Sequence, residues 1–235
     1  MKHTSALIVG AGAGLSAALA RRMRANGMQV ALAARSAAKL TEFAGATGAR
    51  TFDCDAARAD DVAKLFDDLD AAGLTPDVVV YNPSYRVRGP LVDLDPAEVE
   101  KTLAITAFGG FLVAQQAVRR MLPRIRDGKG EGAILFTGAS ASVKGYAQSA
   151  PFAMGKFALR GLAQSMAREL SHQGVHVCHF VIDGGIKSAR RPEPAGRADT
   201  LLDPEAIAAS YMHVLAQPRS AWTSELELRP WVEKF

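Results

Sequence analysis

Ala6-Leu7-Ile8-Val9-Gly10-Ala11-Gly12-Ala13-Gly14-Leu15-Ser16 is the stretch that decides the fold. Its apolar start, Ala6–Val9, reads as a buried strand. The glycine cluster reads as a tight strand-to-helix turn. Leu15–Asn26 then reads as a helix that Gly27 stops. Glycine carries no Cβ, so the backbone of such a turn lies open to close approach by another group.

Outward from this junction the same alternation repeats. Gln29–Ala34 reads as a strand, Ala37–Ala44 as a helix and Arg50–Phe52 as a short strand. A helix over Asp60–Ala72 ends at Gly73, and Asp77–Val80 is an apolar strand. Pro96 starts a long helix that runs to about Arg126, followed by a strand over Gly132–Thr137. Ala147–Gln173 holds a second long helix, closed by Gly174. Val175–Ile182, Pro204–Ala216 and Glu225–Leu228 read as strand, helix and strand. Strict alternation predicts an α/β fold. Runs such as Val78-Val79-Val80 and Ile134-Leu135-Phe136 are apolar throughout, as in strands covered on both faces. The expectation is a doubly wound parallel sheet of about seven strands flanked by helices, a Rossmann fold in one domain over 1–235. Arg124–Glu131 and Lys187–Asp199 read as irregular, the second as a mobile loop.

Composition narrows the function classes. The chain has 235 residues, 49% of them hydrophobic, enough for a sizeable core. Its net charge of +4 is spread without a dense Lys/Arg block, which argues against a nucleic-acid face. Cys54 and Cys178 form no CxxC or CxxH pattern, so neither a structural metal site nor a disulfide framework is expected. Both read as small apolar core residues. No uncharged apolar run reaches about 18 residues, so no membrane span is expected. The short apolar N-terminus runs into the glycines and reads as a strand, not a signal peptide. The expected location is the cytoplasm.

At the head of an alternating chain, the glycine turn points to a dinucleotide's pyrophosphate, which a helix N-terminus also attracts. The second strand ends Ala33-Ala34-Arg35-Ser36, with no carboxylate. A carboxylate there serves the free ribose hydroxyls of NAD, whereas Arg can grip the 2′-phosphate of NADP. Arg35, with Ser36 as a further donor, therefore favours NADP(H) over NAD(H). Its bland reading is a surface arginine at a strand–helix junction.

Gly10, Gly14 and Ser16 resemble the G-x-x-x-G-x-G pattern of the short-chain dehydrogenase/reductase family, with serine for the third glycine. The resemblance runs through almost the whole chain. It implies a phosphate cradle over Gly10, Gly12, Gly14, Leu15 and Ser16, with Ser16 as a possible donor. Phe52-Asp53-Cys54-Asp55-Ala56 resembles the family's D-V-x-D region, which puts Asp55 and Ala56 near the adenine; alone, Asp55 reads equally as a helix-leading acid. Tyr81-Asn82-Pro83-Ser84 falls where the family has N-N-A-G and keeps only Asn82, so the wall formed with Pro83 is altered. Asp183-Gly184-Gly185-Ile186-Lys187-Ser188 is similar to P-G-x-x-x-T, which implies Gly184, Ile186 and Ser188 at the nicotinamide end. Asp183 reads as a turn cap.

The family signature Tyr-x-x-x-Lys sets two groups on one helix face, where the ammonium lowers the phenol's pKa. Here the segment is Phe152-Ala153-Met154-Gly155-Lys156. Lys156 is retained, Phe152 replaces the tyrosine, Ala139 takes the serine position beside Ser140 and Ser142, and Thr106 takes the asparagine position. The catalytic candidates are Lys156, Ser140, Thr106 and Phe152. Tyr146, Ser140, Tyr81, Tyr85 or a water are the candidate proton sources. The resemblance implies an NADP(H)-dependent oxidoreductase with a small-molecule carbonyl, alcohol or activated C=C substrate and a non-standard proton donor. The alternative is a catalytically silent NADP(H)-binding sensor or regulatory protein. It also implies a homodimer or homotetramer through the two long helices. The basic stretch with Arg190, Arg191 and Arg197 reads as a solvated loop, with an anionic substrate as its other reading. Trp222, Leu226, Leu228 and Trp231 suggest a packed C-terminal tail.

Overall fold

Side chains alternate across a strand, and that period of two sorts the core into two layers. The structure, a computed structural model, describes residues 3–233. The strands are β1 (Ser5–Val9), β2 (Gln29–Ala34), β3 (Arg50–Asp53), β4 (Val78–Tyr81), β5 (Gly132–Thr137), β6 (Val175–Ile182) and β7 (Glu225–Leu228). All pair in parallel, in the spatial order β3-β2-β1-β4-β5-β6-β7. The helices are α1 (Leu15–Ala25), α2 (Thr41–Thr47), α3 (Ala59–Ala71), α4 (Pro96–Leu103), α5 (Gly109–Arg126), α6 (Ala150–Leu170) and α7 (Pro204–Ala216). Leu7, Val9, Val79, Tyr81, Ile134 and Phe136 face one layer, where Phe66 of α3, Val113 of α5 and Leu159 of α6 meet them. Ile8, Leu32, Val80, Leu135 and Phe180 face the other, with Leu19 of α1 and Tyr211 of α7. Each such side chain, fully buried, contributes roughly 1.5–3 kcal/mol.

Local chemistry sets the helix starts. Asp95 and Asp203 each precede a proline and accept a bond from a first-turn N–H, at 2.9 and 2.8 Å. Proline at the first helical position loses nothing, because its missing N–H would have no partner there. The second long helix begins at Ala150, not Ala147, because Gln148 sits at φ +58, outside helical space.

The expected single helix from Pro96 to Arg126 contains a π-turn at Ala104–Phe108, between α4 and α5. This wider turn frees the carbonyl of Ile105, which accepts the Tyr81 hydroxyl at 2.5 Å. Glycine is required next: a Cβ on Gly109 would stand 2.4 Å from the Tyr81 oxygen and 2.5 Å from the Ala56 carbonyl.

Cys54 and Cys178 are buried and unbridged, and burial pushes both thiols up to about 12. Trp222 stacks on His176 with ring centroids 4.6 Å apart, but Trp231 is 80% exposed, so the tail's packing stops short of it. The basic loop expected to be mobile is pinned where Lys187 donates to the Leu202 carbonyl and Leu202 to that of Gly185. No helix among the described residues is long and apolar enough to cross a membrane.

Asp77 ties the sheet's lower edge together. Its carboxylate accepts the Thr4 N–H and hydroxyl, both at 2.7 Å, and pairs with Arg124 at 2.8 Å. Burial alone would raise its pKa, but the Thr4 bonds and the Arg124 guanidinium outweigh that and hold it below the ordinary value. A depressed folded-state pKa gives stability that is present above the unfolded value and lost as pH falls through the folded one. Urea unfolding should therefore show stability falling below about pH 4. Asp77→Asn should cost about 2 kcal/mol near neutrality and flatten that acid dependence.

Candidate functional site

In this strand order the connections after β1 and β4 leave for opposite faces of the sheet, which opens a crevice at their carboxyl ends. Gly10, at φ +76, turns the chain out of β1. Gly10 and Ala11 both donate to the Ala33 carbonyl, at 2.9 and 3.0 Å. A Cβ on Gly10 would sit 2.6 Å from the Pro83 nitrogen, so the turn is seated directly on the segment after β4. Ser16 fastens this seat. It is 1% exposed, its hydroxyl reaches the Gly10 carbonyl at 3.4 Å, and it accepts from Asn82 Nδ2 at 2.9 Å. The serine expected to meet a phosphate instead props the turn from beneath. At Gly12 the opposite holds, because a Cβ there would meet no atom within 4 Å.

Gly10, Gly12, Arg35, Ser36, Asp55, Ala56, Asn82 and Pro83 all line one cavity of about 830 Å³. Gly14 and Leu15 stand just behind it, at the head of α1. Lys39 lines the same cavity and was not singled out from the sequence. Its spacing of four residues after Arg35 was the available signal. Among the described residues no carboxylate pairs with Arg35 or Lys39. Asp53, the nearby acid, accepts the Ala37 N–H at 2.7 Å.

A second cavity, of about 440 Å³, shares Asn82 and Ser84 with the first. Ala139, Phe152, Lys156, Gly184, Ile186 and Ser188 line it, together with Arg190 and Arg191. Lys156 is 2% exposed and donates to the Thr137 carbonyl at 2.8 Å. Burial pushes its pKa down to about 8. Phe152 lies 6.0 Å from the Lys156 ammonium, and the Arg86 guanidinium sits 4.9 Å over its ring.

The remaining candidates are not brought to this cavity. Thr106, fully buried in the π-turn, accepts the Tyr85 N–H at 3.4 Å and packs against Gly155. Ser140 does not line the cavity and acts on Asp183, helping to lower its pKa. Asp183 is no turn cap. It is buried between Lys144 at 3.1 Å and Arg229 at 3.2 Å. Burial pushes its pKa up, but Ser140 and the two cations more than offset this and keep it below the usual range. Tyr81 is spent on Ile105, and burial raises its phenol far above the ordinary value. Tyr85 donates to Glu98 at 2.6 Å, and Tyr146 is 48% exposed. Beneath the cavity floor His179 faces Glu225 at 3.2 Å, which Arg160 grips with two bonds of 2.7 Å. Burial lowers the His179 pKa to about 4 and so leaves the ring neutral.

The family model for the short chain dehydrogenases matches residues 4–193. A 3-dehydrosphinganine reductase of Arabidopsis thaliana is 30% identical over 183 residues, which cover 75% of this chain but only 54% of that protein. The chain thus spans about half the length of that curated relative. A crystal structure of a short-chain dehydrogenase from Rhodopseudomonas palustris is 32% identical with a TM-score of 0.82, and the match covers 97% of this chain and 99% of that one. A metagenomic short-chain oxidoreductase in complex with NADP is 26% identical with a TM-score of 0.83, over 97% and 98% of the two chains.

Proposed function

Since the chain belongs to the short-chain dehydrogenase family, we propose that it is an NADP(H)-dependent oxidoreductase acting on a small carbonyl, alcohol or activated C=C compound. The observation that carries this reading is the joining of two cavities by Asn82 and Ser84, one with unpaired cations beside a bare glycine turn, the other with Lys156 at its wall. The residues fit a dinucleotide: Gly12 leaves space that a Cβ would fill, and the turn stands at a helix N-terminus. Gly10, Gly12, Gly14 and Leu15 would hold the diphosphate, with Ser16 as the prop. Arg35, Ser36 and Lys39 would hold the 2′-phosphate, Asp55 and Ala56 the adenine side. Asn82, Pro83 and Lys156 would border the ribose, and Gly184, Ile186 and Ser188 the nicotinamide. When bound, the cofactor supplies or takes the hydride.

The proton must then be handled without a phenol at position 152. Of the catalytic candidates, Lys156 is the one left to do this, directly or through one water, because neither Thr106, which accepts the Tyr85 N–H, nor Ser140 lines the cavity. Its ammonium, with a pKa brought to about 8 by burial, releases a proton more easily than an exposed lysine. Phe152 supplies apolar wall, and Ala139 leaves room beside it. A silent cofactor-binding protein is the second reading, favoured by the ring of Phe152 having no exchangeable proton while Arg86 covers it.

Exposed apolar side chains lie along both long helices: Phe108 and Phe111, stacked at 6.2 Å, and Met154 and Phe157. A homodimer or homotetramer through this face would cover them. Light scattering that found only monomer would remove that part of the proposal.

Two measurements bear on the rest. Calorimetry should show NADPH bound more tightly than NADH, and Arg35→Asp should weaken NADPH by about tenfold or more while sparing NADH. Equal affinities in the unaltered protein would contradict the assignment. NADPH oxidation should be followed with a panel of ketones, aldehydes and enoyl compounds. Reduction should fall as pH rises through about 8, because the protonated lysine is the competent form. Tight binding with no turnover, but turnover in Phe152→Tyr, would favour the silent reading.

A further inference from the structure

The smaller cavity carries a charge that the proposed hydride chemistry does not use. Arg190 and Arg191 line it together with Phe152 and Ser188. Arg86, on the loop after β4, does not line the cavity but holds its guanidinium 4.9 Å over the ring of Phe152, which does. All three residues are exposed. Arg191 folds back over Gly185, where an added Cβ would meet its Nη1 at 2.8 Å. The acids within reach are already committed. Glu193 accepts from the Thr200 and Leu201 N–H groups, at 2.7 and 3.2 Å, and pairs with Lys187 at 3.4 Å. Asp183 is held by Lys144 and Arg229. Among the described residues no carboxylate pairs with Arg86, Arg190 or Arg191.

Like charges held together without a counter-ion are relieved by an anion, and a planar guanidinium matches the geometry of a carboxylate or phosphate. Partial burial, then Arg88 and Arg191, hold the Arg86 pKa below its ordinary value, as expected for a crowded cation. We infer that Arg86, Arg190 and Arg191 form an oxyanion subsite that selects substrates carrying a carboxylate or phosphate monoester, with the Phe152 ring packing against the apolar body between anion and reacting carbon. This rests on the reading of the adjoining cavity as the dinucleotide site. It replaces the solvated-loop reading of Arg190 and Arg191 with a specificity role.

The test uses protein saturated with NADP+, which cannot reduce a bound carbonyl compound. Calorimetry is run with straight-chain oxocarboxylates of increasing length, their methyl esters, and hydroxyketone phosphates. At least one acid or phosphate should bind about tenfold more tightly than its neutral counterpart, and added salt should narrow that gap. Which of the two anions wins identifies the source. The Arg190→Gln/Arg191→Gln double variant should erase the preference, and Arg86→Gln, on a separate loop, should reduce it. Arg190→Lys/Arg191→Lys should restore part of it. NADPH affinity should stay unchanged in all of these variants. Equal binding of acids and esters, or binding of neither, would overturn the subsite. A loss of NADPH affinity in the double variant that matches the loss of anion affinity would overturn it too, by assigning the arginines to the cofactor. No NADPH binding by the unaltered protein would instead bring down the dinucleotide reading beneath it.

Discussion

Everything at the mouth of the crevice depends on how closely the chain leaving β1 lies on the chain leaving β4. That approach needs a residue without a side chain at position 10, since Pro83 occupies the space. The contact is fixed by a polar clasp. Asn82 donates to Ser16, and Ser16 reaches the Gly10 carbonyl. Two segments distant in sequence, the turn after β1 with the head of α1 and the chain leaving β4, are thereby held at one point, and both cavities open from it. The hydroxyl is buried and satisfied, so the clasp costs little in desolvation and resists displacement.

Much of this arrangement was legible in the residues themselves. The apolar runs of β1, β4 and β5 are continuous because helices cover both faces, and this told a parallel sheet from an antiparallel one. The glycine turn and Arg35 were legible because their chemistry is local. What remained hidden depends on orientation or distant pairing. Spacing placed Thr106 and Ser140 along the chain, but not the direction of their hydroxyls. The first lies inside a π-turn that helical periodicity cannot reveal, and the second stands outside the cavity lining that its neighbour Ala139 joins. Asp183 looked like a turn cap because its partners, Lys144 and Arg229, come from two other segments. Lys39 resembled any surface lysine until the short helix after Ser36 turned it into the cavity.

The pocket beside Lys156 is accordingly unusual in its balance. Ala139 and Phe152 line it where the sequence resemblance implied a serine and a tyrosine, and Arg190 and Arg191 line it too. An ammonium buried without a carboxylate partner is costly, and the Thr137 carbonyl offsets only part of that cost. The site retains the cation nonetheless, and around it the wall is apolar. The proposed recognition, by charge at the edge and packing in the middle, rests on that distribution.

The two sulfhydryls have a practical consequence. Cys54 and Cys178 are sealed in the core, and their thiols stay protonated at neutral pH. The native chain therefore offers an alkylating reagent almost nothing to modify. A cysteine introduced at an exposed position such as Val92 would be the one fast-reacting site. A fluorophore or spin label could be attached there selectively, with no need to engineer out the native pair first.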